Sequence, residues 1–257
     1  MILAILTIGL IIGLIIYIFK PGKTTRTYID NSNSVVNTNY GQTYKAANMT
    51  SSVSGSSYNE QSSKTSGEYL IFFDTETTGL PNDYNAPATA TGNWPRLVQL
   101  GWILTDSKYN VITKRNLIIK PEGFVIPSSS SDVHGITTRM AMENGVSLSS
   151  ALQLFSEDLK KATRCIGHNV SFDKKVVACE LYRKGMPDLL SRKPSTCTMR
   201  TTTDLCRIPG RYGYKYPKLQ ELHEHLFGYE FSDAHDAMSD ITATLKCYKE
   251  LKRRNLI

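Results

Sequence analysis

Glu68-Tyr69-Leu70-Ile71-Phe72-Phe73-Asp74-Thr75-Glu76-Thr77-Thr78-Gly79-Leu80-Pro81 runs from an apolar stretch into two carboxylates and then into a breaker. The aromatic and branched residues after Ser66-Gly67 predict a short buried β-strand over 69–75. Residues two apart on a strand share a face, so Asp74 and Glu76 project together from the strand end. Two carboxylates so placed repel each other unless a cation lies between them. The alternative is an acidic strand end turned to water.

Two further stretches carry the same chemistry. Cys165-Ile166-Gly167-His168-Asn169 reads as another buried strand (164–168), followed by apolar positions at Phe172, Val176, Val177, Cys179 and Leu181. Their spacing predicts a helix over 171–184 with Asp173 in its first turn. A carboxylate there also complements the helix dipole, which is the plainer explanation of Asp173 taken alone. His235 and Asp240 open a last helix over 235–253, with Ser232 or Asp233 as its expected N-cap. Ile241, Leu245, Tyr248 and Leu251 form its apolar stripe. Asp236 lies four residues before Asp240 on the same helical face, so spacing does not choose between them.

Together these clusters supply four carboxylates and a histidine. Oxygen-rich sites of this kind suit Mg²⁺, and a pair of divalent cations about 3.5–4 Å apart can stabilise both the attacking and the leaving oxygen of a phosphoryl transfer. A histidine beside them can act as general base.

Asp-Thr-Glu-Thr-Thr-Gly-Leu (74–80), His-Asn-Val-Ser-Phe-Asp (168–173) and His-Asp-Ala-Met-Ser-Asp-Ile-Thr-Ala-Thr (235–244) resemble the three exonuclease motifs of the DEDDh superfamily. Within it they resemble the proofreading epsilon subunit of bacterial DNA polymerase III. Val133-His134-Gly135-Ile136-Thr137 also resembles a stretch common there. The resemblance covers about residues 68–252. It implies a metal-dependent 3′–5′ exonuclease that releases nucleoside 5′-monophosphates, using two divalent metal ions, Mg²⁺ or Mn²⁺; the alternatives are a ribonuclease of the same fold and a catalytically silent, membrane-tethered nucleic-acid-binding module. Asp74 would bridge both metals, with Glu76 and Asp240 completing the tighter site and Asp173 holding the second. Asp240 rather than Asp236 matches the family ligand, and His235 would take a proton from water. Thr77 and Leu80 would contact the terminal nucleotide. Phe172 is a candidate for base stacking, with a core aromatic as the alternative. The expected partner is nucleic acid with a free 3′ end, with DNA preferred and RNA the alternative; no protein partner is identifiable.

The rest of the chain places this unit. The element order is strands at 69–75, 97–105 and 111–119, helices near 138–144 and 148–162, strand 164–168, helix 171–184, strand 195–199, and helices 217–227 and 235–253. Three strands on short connections predict an antiparallel meander, and the later alternation predicts parallel additions. The resemblance makes this an α/β fold, a ribonuclease-H-like mixed five-stranded sheet flanked by helices, over 68–257. No internal repeat is apparent.

Ahead of it, Ile2 to Phe19 is free of charge and is followed by Lys20, Lys23 and Arg26. As a helix this run would span about 27 Å, close to a hydrocarbon core of about 30 Å. Only Met1 precedes it and no Ala-x-Ala follows, unlike a cleaved signal peptide. The expectation is a transmembrane anchor over 1–20 that holds the catalytic domain in the cytoplasm. Residues 21–67 contain 23 Ser, Thr or Asn, a composition that predicts a disordered linker. The net charge is +7, of which residues 1–67 contribute +3, so the domain keeps +4 despite its acidic site, a balance suited to a polyanion. Arg207, Arg211, Lys215 and Lys218 alternate with Tyr212, Tyr214 and Tyr216, which suggests either a nucleic-acid contact or a solvated loop with packed tyrosines. Five cysteines, an odd number without a Cys-x-x-Cys, suit reduced thiols better than a disulfide or zinc framework.

Overall fold

The computed structural model describes residues 67–257 apart from Asp233. The expected membrane span, and all but the last residue of the expected linker, lie outside the described residues. Among the described residues no helix is long and apolar enough to cross a membrane.

Three strands come first: β1 (Leu70–Thr77), β2 (Leu97–Thr105) and β3 (Val111–Ile118). Short helices α1 (Ser128–His134) and α2 (Thr138–Asn144) and the longer α3 (Leu148–Lys161) follow. Next are β4 (Arg164–Gly167), α4 (Val170–Arg183), β5 (Ser195–Cys197), and the single turns α5 (Thr198–Thr201) and α6 (Thr203–Cys206). A two-stranded hairpin of β6 (Pro209–Gly210) and β7 (Gly213–Tyr214) precedes α7 (Leu219–Phe227) and α8 (Ala237–Arg253). The main sheet has the order β3-β2-β1-β4-β5. β1 and β2, and β2 and β3, pair antiparallel, whereas β4 joins β1 in parallel and β5 joins β4 in parallel. The expected meander with parallel additions is therefore the observed mixed sheet.

β1 is central and covered on both faces, which is why its sequence is continuously apolar rather than alternating. Ile71 and Phe73 belong to the larger core cluster, with Trp102, Phe155 of α3 and Val176 of α4. Phe73 and Trp102 meet the Phe155 ring at 5.3 and 5.4 Å. Leu70 and Phe72 point the other way, into a cluster with Ile103, Ile166 and the α8 residues Ile241 and Tyr248. The Phe72 and Tyr248 rings meet edge-on at 5.5 Å. Each of these rings is worth several kcal/mol (~3–5) against truncation to alanine.

α8 lies close to the sheet because of Gly101, which pairs with Asp74 across β1 and β2. A Cβ on Gly101 would meet Ile241 Cδ1 at 2.7 Å and Ala237 Cβ at 3.3 Å. The start of α8 is tied to the neighbouring strand as well, since Ala237 N–H donates to Gln99 Oε1 at 3.4 Å.

Several boundaries differ from the expected ones. The last helix begins at Ala237, and its N-cap is Asp236 rather than Ser232 or Asp233. The Asp236 carboxylate accepts from Met238 N and Ser239 N at 3.1 and 3.0 Å, which is what an N-cap acceptor does. The strand expected over 195–199 stops at Cys197, because Thr198 starts a helical turn whose carbonyl accepts from Thr202 Oγ1 at 2.7 Å. α1 was not expected: its Ser-Ser-Ser-Ser start shows no apolar period. All five cysteines are free thiols.

If Gly101 sets the depth of α8, Gly101→Val will destabilise the protein by about 1–3 kcal/mol, as overpacking does, and Gly101→Ala by less, measured by urea unfolding. Equal stability of Gly101→Val and the wild type would contradict this.

Candidate active site

The site forms where β1 leaves the sheet. Asp74 and Glu76 continue the face of Leu70 and Phe72, so they point toward α8 and meet Asp240 in its first turn. One carboxylate oxygen from each of Asp74, Glu76 and Asp240 lies within 4.8 Å of the others. The β1–β2 register shifts between Glu76 and Thr77, so the strand bends away just past the second carboxylate.

Asp173 arrives from the opposite face of the sheet, on α4. Thr75 points to that face and holds it: Asp173 Oδ1 accepts from Thr75 N at 3.1 Å and from Thr75 Oγ1 at 2.7 Å. Asp173 is buried and stands beside the trio rather than in it, with Oδ1 committed to Thr75. The strand therefore supplies carboxylates on one face and the clamp for a fourth on the other.

The electrostatics show how unfavourable this grouping is by itself. Burial, then the charges of Asp173, Asp240, Glu76 and Asp236, raise the Asp74 carboxyl well above the usual range. Burial and the charge of Asp240 push Glu76 up to about 8. Burial raises Asp173, against the Thr75 hydrogen bonds that favour its anion. Burial also pushes Asp240 up to about 6, opposed by the His235 amide and ring. Asp240 Oδ1 is buried without a hydrogen-bond partner. Three oxygens within reach of one point, an orphaned carboxylate oxygen and several carboxyls held above their usual range together fit a hard divalent cation.

His235 lies on the turn before α8, exposed and with φ of 70°. Positive φ is uncommon for a non-glycine residue, and such backbone strain concentrates at functional sites. Asp236 is occupied in capping the helix, which separates its role from that of Asp240.

The expected substrate contacts gather in one cleft of about 410 Å³, lined by Glu76, Thr77, Leu80 and Phe172. Leu80 is 72 % exposed, with no packing to explain its apolar side chain. Phe172 packs on the core and also lines the cleft. The facing wall comes from α1 and includes Ser129, Ser130, Val133 and His134. Burial lowers the His134 pKa, and its Nδ1 accepts from Ile136 N at 3.1 Å. His134 and Thr75 are the residues whose roles the sequence did not disclose. The only signal for Thr75 was its position between two carboxylates on a strand, which sends it to the other face.

A sequence model of the exonuclease family matches residues 71–248. Among solved structures the chain is similar to E. coli exonuclease I in complex with a dT13 oligonucleotide, at 24% identity and TM-score 0.61, over 73% of this chain and 42% of that one. It is also similar to the zinc-ion-bound form of the E. coli exonuclease I–ssDNA complex, at 25% identity and TM-score 0.60, over 74% and 42%. A product-bound structure of exonuclease I matches at 22% identity and TM-score 0.58, over 74% and 45%. The match thus spans less than half the length of those chains. These are structures of exonuclease I rather than of the epsilon subunit. No curated protein matches the chain.

Raised carboxyl pKa values have a thermodynamic consequence. Unfolded carboxyls ionise near pH ~4, whereas Glu76 in the fold does so at about 8. Between those values the metal-free folded state holds more protons than the unfolded chain, so its stability falls as pH rises. Melting temperature in EDTA will therefore decline from pH 5 to pH 8, and saturating Mn²⁺ will raise it most at pH 8. Thermal scans across that range check this; a flat EDTA profile, or a Mn²⁺ gain that shrinks with pH, would refute it.

Proposed function

The chain belongs to the exonuclease family, and on that premise we propose that it is a metal-dependent 3′–5′ exonuclease acting on single-stranded DNA. The observation that carries this reading is the convergence of Asp74, Glu76 and Asp240 at the end of β1, with the terminal-nucleotide cleft opening beside Glu76.

Asp74, Glu76 and Asp240 would hold one divalent cation, Mg²⁺ or Mn²⁺, and Asp74 with Asp173 a second. Such ions supply charge neutralisation at the phosphate and at its attacking and leaving oxygens. Thr75 keeps Asp173 oriented through two hydrogen bonds; supporting contacts of this kind commonly affect metal affinity or activity about 10–100-fold. Leu80 and Phe172 flank the 3′-terminal base, and main-chain groups near Thr77 fix its sugar. His235 takes a proton from the attacking water. The oxygen of that water bonds to phosphorus as the bond to the 3′-oxygen breaks. A nucleoside 5′-monophosphate leaves, and the shortened strand keeps a free 3′-hydroxyl.

DNA is favoured over RNA on the ground that the E. coli relative at 25% identity is described with ssDNA. The uncharged run 2–19 with its following cations supports a membrane anchor, and the polar composition of 21–67 supports a tether to a cytoplasmic catalytic domain.

The full chain, incubated with Mg²⁺ or Mn²⁺ and 5′-labelled single strands, will give a ladder that shortens from the 3′ end. The Asp74→Ala/Glu76→Ala variant will lose more than about 100-fold in rate, beyond the usual cost of a supporting contact. Internal cleavage, or equal rates for variant and wild type, would contradict the proposal. Faster loss of RNA than of DNA would reassign the substrate.

A further inference from the structure

Phe172 lines two cavities. One is the cleft that holds Glu76 and Leu80. The other, of about 470 Å³, is lined by the same ring and in part by Tyr84, Trp94, Lys175, Arg200 and Tyr216. Asn169, Ser171 and Phe172 bring one exonuclease motif to its edge, and the rest of its lining lies outside the motifs. Its other aromatic residues come from the loop after β1 and from the segment after β7. Tyr84 and Trp94 both stand 6.4 Å from Phe172, centroid to centroid.

Its charge is one-sided: two cations line it and no carboxylate does. Lys175 Nζ donates to the carbonyls of Tyr84 and Ala86 at 2.8 and 3.1 Å and lies 5.3 Å from the Trp94 ring. None of these partners neutralises it. Arg200 is exposed on α5 and sits 5.6 Å from the Tyr216 ring, with no carboxylate partner among the described residues. Tyr84 and Tyr216 are each 52 % exposed, so both rings offer a face.

The cavity is also held in place. His168, two residues before α4, bonds through Nε2 to Pro217 O at 2.9 Å and through Nδ1 to Thr198 Oγ1 at 3.0 Å. Burial pushes its pKa down to about 4, so the ring stays neutral and Nε2–H donates to Pro217. This fixes the chain next to Tyr216 against the helix that carries Phe172 and Asp173. Of the alternating basic residues beyond it, Lys215 is taken up by Glu221. Tyr212 and Tyr214 remain 89 and 51 % exposed, so the hairpin tyrosines are not packed on the domain.

The geometry points to a second nucleotide subsite in this cavity, occupied by the part of a single strand that lies immediately 5′ of the terminal nucleotide. It rests on the exonuclease reading of the cleft. A strand whose last base lies against Leu80 and Phe172 continues past the edge of that ring into the cavity. There Tyr84 and Tyr216 stack its bases, and Lys175 and Arg200 meet its phosphates. Aromatic stacking with cations along a backbone is how proteins hold unpaired strands without reading sequence. A duplex keeps its bases paired and stacked, so the subsite selects strands that are single for several nucleotides behind the 3′ end.

The test compares the full chain with its Arg200→Ala/Tyr216→Ala variant on a deoxydinucleotide and on a single-stranded 12-mer. The 12-mer is also measured for binding by fluorescence anisotropy in Ca²⁺ over a range of salt. Wild-type kcat/KM will favour the 12-mer, and that preference will fall at least about tenfold in the variant. Binding will weaken in parallel, with a salt dependence about 0.7 shallower for the lost phosphate contact. Arg200→Lys/Tyr216→Phe will restore both, which a purely structural role would not require. An unchanged length preference and unchanged binding in the variant would overturn the subsite while leaving the exonuclease reading intact. Weakened 12-mer binding in the variant, from a wild type that cleaves neither substrate, would keep the subsite and sink the exonuclease reading.

Discussion

Like charges crowd the end of β1, and the fold is arranged to keep them there. Asp74 and Glu76 share a strand face, Asp240 comes down from α8, and Asp173 reaches in from α4 behind Thr75. Each neighbour makes the others harder to ionise. An arrangement that unfavourable persists only when the surroundings over-determine it. Here they do: β1 is buried on both faces by separate aromatic clusters, and Gly101 allows α8 to approach the strand pair directly opposite Asp74. The electrostatic penalty is offset by hydrophobic packing away from the site and would be relieved by a bound cation.

The same constraint explains the division of labour among neighbouring residues. Five acids, Asp74, Glu76, Asp173, Asp236 and Asp240, lie close together at the end of β1, but they do different work. Asp236 spends its carboxylate on two amides of the first helical turn. Asp240 keeps a buried oxygen without a partner, and so remains available as a ligand. In Asp173 one oxygen, Oδ1, is taken up by two hydrogen bonds from Thr75. Hydrogen bonding thus sorts chemically identical groups into structural and reactive ones, a sorting that depends on which backbone amides happen to lie within reach.

Much of this was legible in the sequence because it was written in periodicity. The alternation on β1 placed Asp74 and Glu76 together, the helical spacing after Asn169 put Asp173 in a first turn, and the order of strands and helices gave the mixed sheet. What stayed hidden depended on contacts distant in sequence. Thr75 and Asp173 are 98 residues apart, and nothing local marks a threonine as the clamp of a helix on the far face. Gly101 carries no local signal either, since its role comes from Ile241 and Ala237 of α8 packed against it. The N-cap of α8 was misplaced because several short polar residues precede that helix and local sequence does not say which one adopts the extended backbone. α1 and the β6–β7 hairpin carry no apolar period, yet α1 forms a wall of the cleft, and the chain after the hairpin borders the second cavity.

The central claim is that the three converging carboxylates are a cation site. A crystal of the full chain grown with Mn²⁺ and a nucleoside 5′-monophosphate, with data collected at the manganese absorption edge, tests it without reference to rate or binding. The account predicts an anomalous peak bounded by Asp74, Glu76 and Asp240, with the nucleotide phosphate beside it and its base against Leu80 and Phe172. A crystal with nucleotide bound elsewhere, or with manganese only at other acidic side chains, would contradict it.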